Sequence, residues 1–585
     1  MRLLLPVLIL VGLMIGSLML NRPEPRAELT TGYISVETLD PQIARASEDI
    51  RIAYALFEGL YSFDNEFNTV PGVASSYDLS DDHRTWTFHL RASARWSDGE
   101  PVTASDFTRS WMIGLLPDTS PPYIEFLQYI RGGADFTKWA TERLKQVNAI
   151  VDLAERRAAA QQRVDDMPAQ FHNIVGVRTP DDHTIVVELE RPVPYFLEIA
   201  ASWPLFPLPM HVIDKLMQVD PGTGMLRRDP QWIKPDNDPP TMISNGPFEL
   251  AAWKFKRAIR MQANPHYWNA DAVGPESVEL RNYSDMYAMY NAYHSGGIDI
   301  ALGVTPVPFA PEIVEAQRAG KRDDVHQFNA YGTYYYACNT RPTLSDGRPN
   351  PLANVHARRA LAMAIDRQLI VDSVTRLHQQ ATTGFTPTGA IRGYDTPTGL
   401  EYNLEAARAE MRAAGYGPGK PFGPLLMIYN TGGGHDLVAQ AMARMWEQAF
   451  AEFGLEPQTE AQEWKVFIKR RSAGNFMVAR GGWFGDYTDP TTFLDLFKTG
   501  NGNNDSGFSD PKYDAMLAEA AETLDPVQRF DLLEKAEAYI VRDRLPIVPL
   551  YYYSIIDLYD AEHVSNVSTH PRNLQMFARM KVHPK

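Results

Sequence analysis

The chain has 585 residues, too many for a single core, and that length predicts roughly three to four domain-sized units. A composition of 44% hydrophobic, 11% aromatic and 22% charged residues is that of a globular protein and excludes disordered and collagen-like classes. With 56 basic against 72 acidic residues the net charge is −16, which argues against nucleic acid and anionic membrane surfaces as partners. The one cysteine, Cys338, excludes intrachain disulfides and zinc sites built from several thiolates.

Met1-Arg2 precedes Leu3 to Leu20, eighteen residues without a formal charge, which predicts an export segment. No small-x-small cleavage site follows in Ser17-Leu18-Met19-Leu20-Asn21-Arg22, and no cysteine stands there for lipid attachment. The expectation is an uncleaved membrane anchor at 1–28 with Pro23-Glu24-Pro25 as a stiff spacer, a cleaved signal peptide being the alternative. Either places the remainder outside the cytoplasm, in the periplasm or cell envelope. No second long apolar run follows.

Thr85 to Leu90 alternates, with Trp86, Phe88 and Leu90 on one face, and predicts a half-buried strand. Trp96-Ser97-Asp98-Gly99 reads as a turn, and Thr103-Ala104-Ser105-Asp106 as a capped helix start leading into Phe107 to Leu116. Thr141 to Asp166, with Leu144, Val147, Ile150, Val151 and Ala154 at helical spacing, predicts a surface helix. Thr184 to Leu189 predicts a further strand. Val355 to Val374 predicts a helix around Ala360 to Asp366. Leu425 to Tyr429 predicts a strand that ends at Asn430-Thr431-Gly432-Gly433-Gly434, followed by a helix from Asp436 to Phe453. A strand entering a helix through a glycine loop is the unit of an α/β sheet, whose loop ends favour ligands. Pro546 to Tyr553 predicts a late strand.

Enzyme signatures are missing: there is no His-Glu-x-x-His, Gly-x-Ser-x-Gly or Cys-x-x-Cys. Gly415 to Lys420 lacks the spacing and the Ser or Thr of a phosphate loop, and Asn501 to Asp510 lacks the spacing of a calcium loop. No cofactor or metal is expected, and the balance favours a binder over an enzyme.

A series of segments in chain order resembles the periplasmic oligopeptide-binding proteins, solute receptors of ABC peptide importers. They include Leu39-Asp40-Pro41, Leu56-Phe57-Glu58-Gly59-Leu60-Tyr61, Ala94-Arg95-Trp96-Ser97-Asp98-Gly99 and Arg191-Pro192-Val193-Pro194-Tyr195-Phe196. They continue through Ser244-Asn245-Gly246-Pro247-Phe248, Asn264-Pro265-His266-Tyr267-Trp268, Ile365-Asp366-Arg367, Gln462-Glu463-Trp464-Lys465 and Gly482-Trp483-Phe484-Gly485-Asp486-Tyr487. The resemblance implies an α/β class II periplasmic-binding fold, two lobes joined by a hinge with an extra inserted domain. One lobe would combine 29–57, 210–331 and 554–585, the inserted domain would be 58–209, and the opposite lobe 332–553.

It also implies a site. The backbone of Trp483-Phe484-Gly485-Asp486, with Gly482 beside it, would pair with an extended peptide, which satisfies main-chain groups whatever the side chains are, and Asp486 would hold the α-ammonium. Arg480, Arg471 and His435 match positions that take the C-terminus, a task suited to arginine because its planar fork meets a carboxylate bidentately. Thr375, beside Arg376, stands where the family places a lysine, which departs from the pattern. Tyr123 and Trp464 resemble aromatic wall residues. Asn430, from its place at the strand end, and the run Tyr334-Tyr335-Tyr336, with Tyr335 put forward from it, are added as cleft candidates. The expected partners are oligopeptides and the permease subunits of an importer, for a monomeric receptor. The alternatives are a receptor for a dipeptide, murein peptide, oligosaccharide or metal chelate, or a membrane-anchored sensor of the same fold.

Overall fold

Two strands, Val325–Cys338 and Ile547–Tyr559, are longer than any of their neighbours, and the architecture turns on them. Both are rich in aromatic and aliphatic residues and mostly buried, as suits strands covered on both faces. They pair antiparallel, 325–329 with 554–558 and 333–337 with 547–552, and the register shifts between Asn329 and Thr333. The computed structural model describes residues 25–119, 121–220, 222–233, 242–303 and 309–585.

These strands lie in a sheet of ten among the described residues. On one side stand Ile300–Ala301, Leu29–Tyr33, Ser277–Asn282, Ala258–Ala263 and Phe248–Lys254; on the other stand Val478–Phe484, Gly423–Asn430 and Leu455–Gln462. Different cores cover the two ends. Beyond the register shift, Tyr334 and Tyr336 join Trp446 on one face, while Tyr335 joins Phe385 and Phe493 on the other. At the opposite end a continuous core runs from Leu29 through Tyr54 into the segment around Trp86, Trp111 and Trp203.

That segment carries its own antiparallel sheet, in the order Ala74–Leu79, Thr85–Leu90, Thr184–Glu188, Val177–Asp181. Trp86, Phe88 and Leu90 are buried and alternate with partly exposed neighbours, as the pattern predicts. The helix Ala104–Gly114 begins with the expected capping box, Asp106 accepting from the Thr103 N–H at 2.8 Å. Its core is shared: Tyr54 packs edge-on against Phe206 at 5.1 Å, so this sheet is fused to the larger one through a common interior.

Two helix predictions need correction. Residues 141–166 are not one helix but parts of two, Gly133–Ala149 and Leu153–Ile174. The break falls at Asp152, whose carboxylate caps the N–H groups of Ala154 and Glu155. Val151, at the tip, is 91% exposed and so is no part of an apolar stripe. The hairpin is fixed by Arg163, which grips Asp118 at 2.9 and 2.5 Å where both side chains are fully buried. Asp118 also accepts from the Leu226 N–H at 2.6 Å.

The stretch 355–374 is likewise interrupted. Val355–Met363 ends before Asp366, which caps the short helix Arg367–Leu369 by accepting from the Leu369 N–H, and a π-turn covers Ile370–Val374. The late strand extends to Tyr559, well past Tyr553, because its second half pairs with 325–329. Cys338 is buried, and burial pushes its thiol up to about 12. The apolar run Leu3 to Leu20 lies outside the described residues, among which no helix is long and apolar enough to cross a membrane.

Candidate binding cleft

The strand Gly423–Asn430 reaches the helix His435–Phe450 through Gly432, Gly433 and Gly434, with φ of 89, 63 and 71°. These left-handed values favour glycine, which explains the run and brings His435 to the cleft edge. Beside it, Val478–Phe484 pairs antiparallel with Val325–Cys338, from Gly332 opposite Phe484 to Cys338 opposite Val478. Its other edge meets Gly423–Asn430 only at Val478 and Ala479. From Arg480 to Phe484 that edge pairs with no described strand.

Glycine is required here for close approach. A Cβ at Gly482 would run into the Tyr553 hydroxyl, and one at Gly485 into the Tyr331 ring. Phe484 lies over Gly332 and stacks on Tyr553 at 4.8 Å. Above this edge opens a cavity of about 930 Å³, lined from both ends of the large sheet: Arg51, Tyr54 and Leu302 on one wall, Tyr334, His435 and Asp486 on the other.

Asp486 is exposed to the cleft, and no described residue donates a hydrogen bond to its carboxylate. Desolvation by the surrounding walls raises the carboxyl to about 6; Arg572 opposes the shift and Glu125 adds to it. Its N–H is held by the Thr492 hydroxyl at 2.9 Å, and its carbonyl by Arg572 at 2.9 Å. Arg572 also donates to the Gly485 carbonyl and lies over the Phe67 and Tyr331 rings. The turn is therefore fixed and its acid left free.

Arg480 contacts the Tyr553 hydroxyl at 2.5 Å, lies 5.0 Å over the Tyr334 ring, and sits 3.5 Å from Asn430 Oδ1. No described carboxylate pairs with it. Asn430 is buried and holds the Thr431 carbonyl at 3.2 Å. His435 shares a 3.1 Å hydrogen bond with Tyr334, and burial, with Arg480 nearby, lowers its pKa to about 4. It is neutral near pH 7, so it offers a hydrogen bond and not the cation expected of it.

Neither Arg480 nor Asn430 is among the residues that line the cavity, and other sequence candidates fall elsewhere. Arg471 is tied to Asp505 at 2.6 Å, so its charge is already answered. Trp464 is 51% exposed at the start of the helix Trp464–Ser472, beside Phe467, and does not line the cavity. Tyr335 points to the opposite face, among Phe385 and its neighbours; alternation makes Tyr334 the cleft residue. Trp483 contributes its backbone to the strand while its ring packs against that same opposite core. Tyr123 does line the cleft, edge-on to Trp203 at 5.0 Å. Sequence reasoning missed Tyr553, Arg51 and Arg572, none of which sits in a motif.

Residues 68–505 match the family described as bacterial extracellular solute-binding proteins, family 5 Middle. The chain belongs to that family. The family 5 proteins similar to it include the periplasmic oligopeptide-binding protein OppA of Escherichia coli, 32% identical over 88% of this chain and 85% of that protein. The periplasmic murein peptide-binding protein MppA of E. coli is 31% identical over 88% and 86%. Among solved structures, the unliganded open form of MppA superposes with a TM-score of 0.77 at 28% identity, covering 96% of this chain and 98% of that one. Haemophilus influenzae OppA in complex with RPPGFSPFR gives 0.67 at 28% identity, covering 96% and 100%. A second structure of E. coli MppA gives only 0.68 at 28% identity, covering 96% and 99%.

Proposed function

We propose that this protein captures oligopeptides by their main chain and termini in a cleft that closes over them, and passes them to the permease subunits of an ABC importer. One observation carries the reading: among the described residues the edge Arg480–Phe484 is unpaired, begins at a cation with no anion, Arg480, and is followed by an acid with no hydrogen-bond donor, Asp486. An extended peptide would add a strand to that edge. Its ammonium would meet Asp486, and its carboxylate would meet Arg480, with His435 and Asn430 as uncharged hydrogen-bonding neighbours. At about 3.3 Å per residue, the six-residue interval from Arg480 to Asp486 gives roughly 20 Å of strand. That is peptide length.

The peptide-binding relatives support the reading, and so does the register shift at 330–332, where both long strands cross between the two ends of the sheet. We place the hinge there, with 29–57, 210–331 and 554–585 as one lobe, 332–553 as the other and 58–209 inserted. The direct test is mass spectrometry of whatever is released when the purified protein is denatured. Peptides are expected; a sugar, a metal chelate or a bile acid would overturn the proposal.

A further inference from the structure

The helix Ser47–Leu56 turns Glu48, Arg51 and Tyr54 toward the cleft, three residues apart and therefore on one face. Arg51 is only 7% exposed, yet no described residue accepts a hydrogen bond from its guanidinium, and its Nε is enclosed without an acceptor. Other arginines nearby are served: Arg45 meets Glu37 at 3.1 Å, and Arg572 holds the 485–486 carbonyls. Two carboxylates act on Arg51 through space, Glu48 and Asp557, and neither makes an ion pair with it. Asp557 is already engaged by the Gly303 N–H at 2.6 Å, and burial lifts its carboxyl to about 7.

A guanidinium that gives up water without gaining acceptors is costly. Burial lowers its pKa accordingly. In a cleft built to hold a solute, the missing acceptor belongs to the solute. The wider charge agrees. Arg45, Arg51, Arg376 and Arg572 face the cavity against Glu48 and Asp486, an excess of positive charge inside a chain of net −16.

We infer that Arg51 is a specificity-determining residue that receives a side-chain carboxylate of the bound peptide, so that the receptor prefers acidic peptides. This rests on the peptide reading above. The ligand's C-terminus carries the same chemical group, but that reading assigns it to Arg480. Arg51 lies one turn from Tyr54, whose hydroxyl feels the charge of Arg572, the arginine bound to the Asp486 carbonyl. Arg51 and Asp486 line the same cavity.

The test is calorimetry on the whole protein with alanine-based tetrapeptides carrying Glu or Gln at position one, two or three, each as free acid and as C-terminal amide. At one position Glu should bind about ten- to a hundredfold tighter than Gln, and Arg51→Met should bring that ratio to about one. Arg51→Gln replaces Arg51→Met if the latter does not fold, and the wild-type ratio is informative by itself. Binding of Glu and Gln peptides within about twofold at all three positions, or a ratio that survives the substitution, overturns the inference and leaves the peptide reading intact. A loss that follows the terminal amide and not the side chain also overturns it, by assigning Arg51 to the C-terminus. If no peptide of either set binds wild type, both fall together.

Discussion

Among the carboxylates this molecule confines, two are treated in opposite ways. At the base of the helical hairpin, Asp118 is fully buried, gripped by both Nη atoms of Arg163 and bonded to the Leu226 N–H. In the cleft, Asp486 has its backbone fixed on both sides while its carboxylate receives no hydrogen bond from any described residue. The first acid completes a fold. The second is held ready for something that is not part of the chain. The same contrast separates two arginines nine positions apart: Arg471 is answered by Asp505, whereas Arg480 rests on tyrosines. Charge left unpaired by an otherwise well-satisfied structure marks function better than charge as such.

The contrast can be broken most forcefully at Asp118. Asp118→Ala leaves a buried guanidinium without its anion and should cost about 3–5 kcal/mol in denaturant unfolding, while the peptide affinity of the folded fraction stays unchanged. Asp486→Asn should do the reverse: melting temperature nearly constant, peptide binding weaker by a factor on the order of 10² to 10³ in calorimetry. N-acetylating the ligand should cost a similar amount, and both changes together less than their sum. Wild-type binding of acetylated peptides at full strength would sever Asp486 from the amine.

Acidity sharpens the same point. The Asp486 carboxyl of the empty protein is raised to about 6, and only its ionised form attracts an ammonium. Affinity should therefore be complete above about pH 7 and fall about tenfold for each pH unit below 6. The dependence should vanish in Asp486→Asn. Smallest is the pair of arginines. Arg480→Met should weaken free-acid peptides by about tenfold relative to their amides, whereas Arg471→Met should leave affinity within about twofold and lower the melting temperature, because it strands the largely buried Asp505.

Much of this was legible in the sequence, for physical reasons that differ by element. Thr85 to Leu90 could be placed because one face is buried and the side-chain period is two. The glycine loop before His435 could be placed because only glycine tolerates those dihedrals. The hairpin tip misled because Val151 extends an apolar spacing, although Asp152 beside it is a capping residue that ends one helix and starts another. Three consecutive tyrosines must alternate across a sheet, but nothing local says which face meets the cleft, so the run alone does not single out Tyr334, which lines it, over Tyr335, which does not. Arg471 looked equivalent to Arg480 because its anion, Asp505, lies thirty-four positions away in a loop without signature. Arg51 and Arg572 gain their meaning from neighbours distant in the chain.

The lone thiol has a practical consequence. Cys338 is enclosed and its pKa stands near 12, so almost none of it is thiolate at neutral pH and alkylating dyes should pass it by. The natural chain is thus blank to thiol-directed dyes. Cysteines introduced at two well-exposed positions, Val151 on the hairpin tip and Val527 on the helix Pro526–Ala538, would accept a donor and an acceptor fluorophore with no need to remove the native residue. Single-molecule energy transfer between them would then report any movement of the inserted segment 58–209 against residues 332–553 as a ligand arrives and departs.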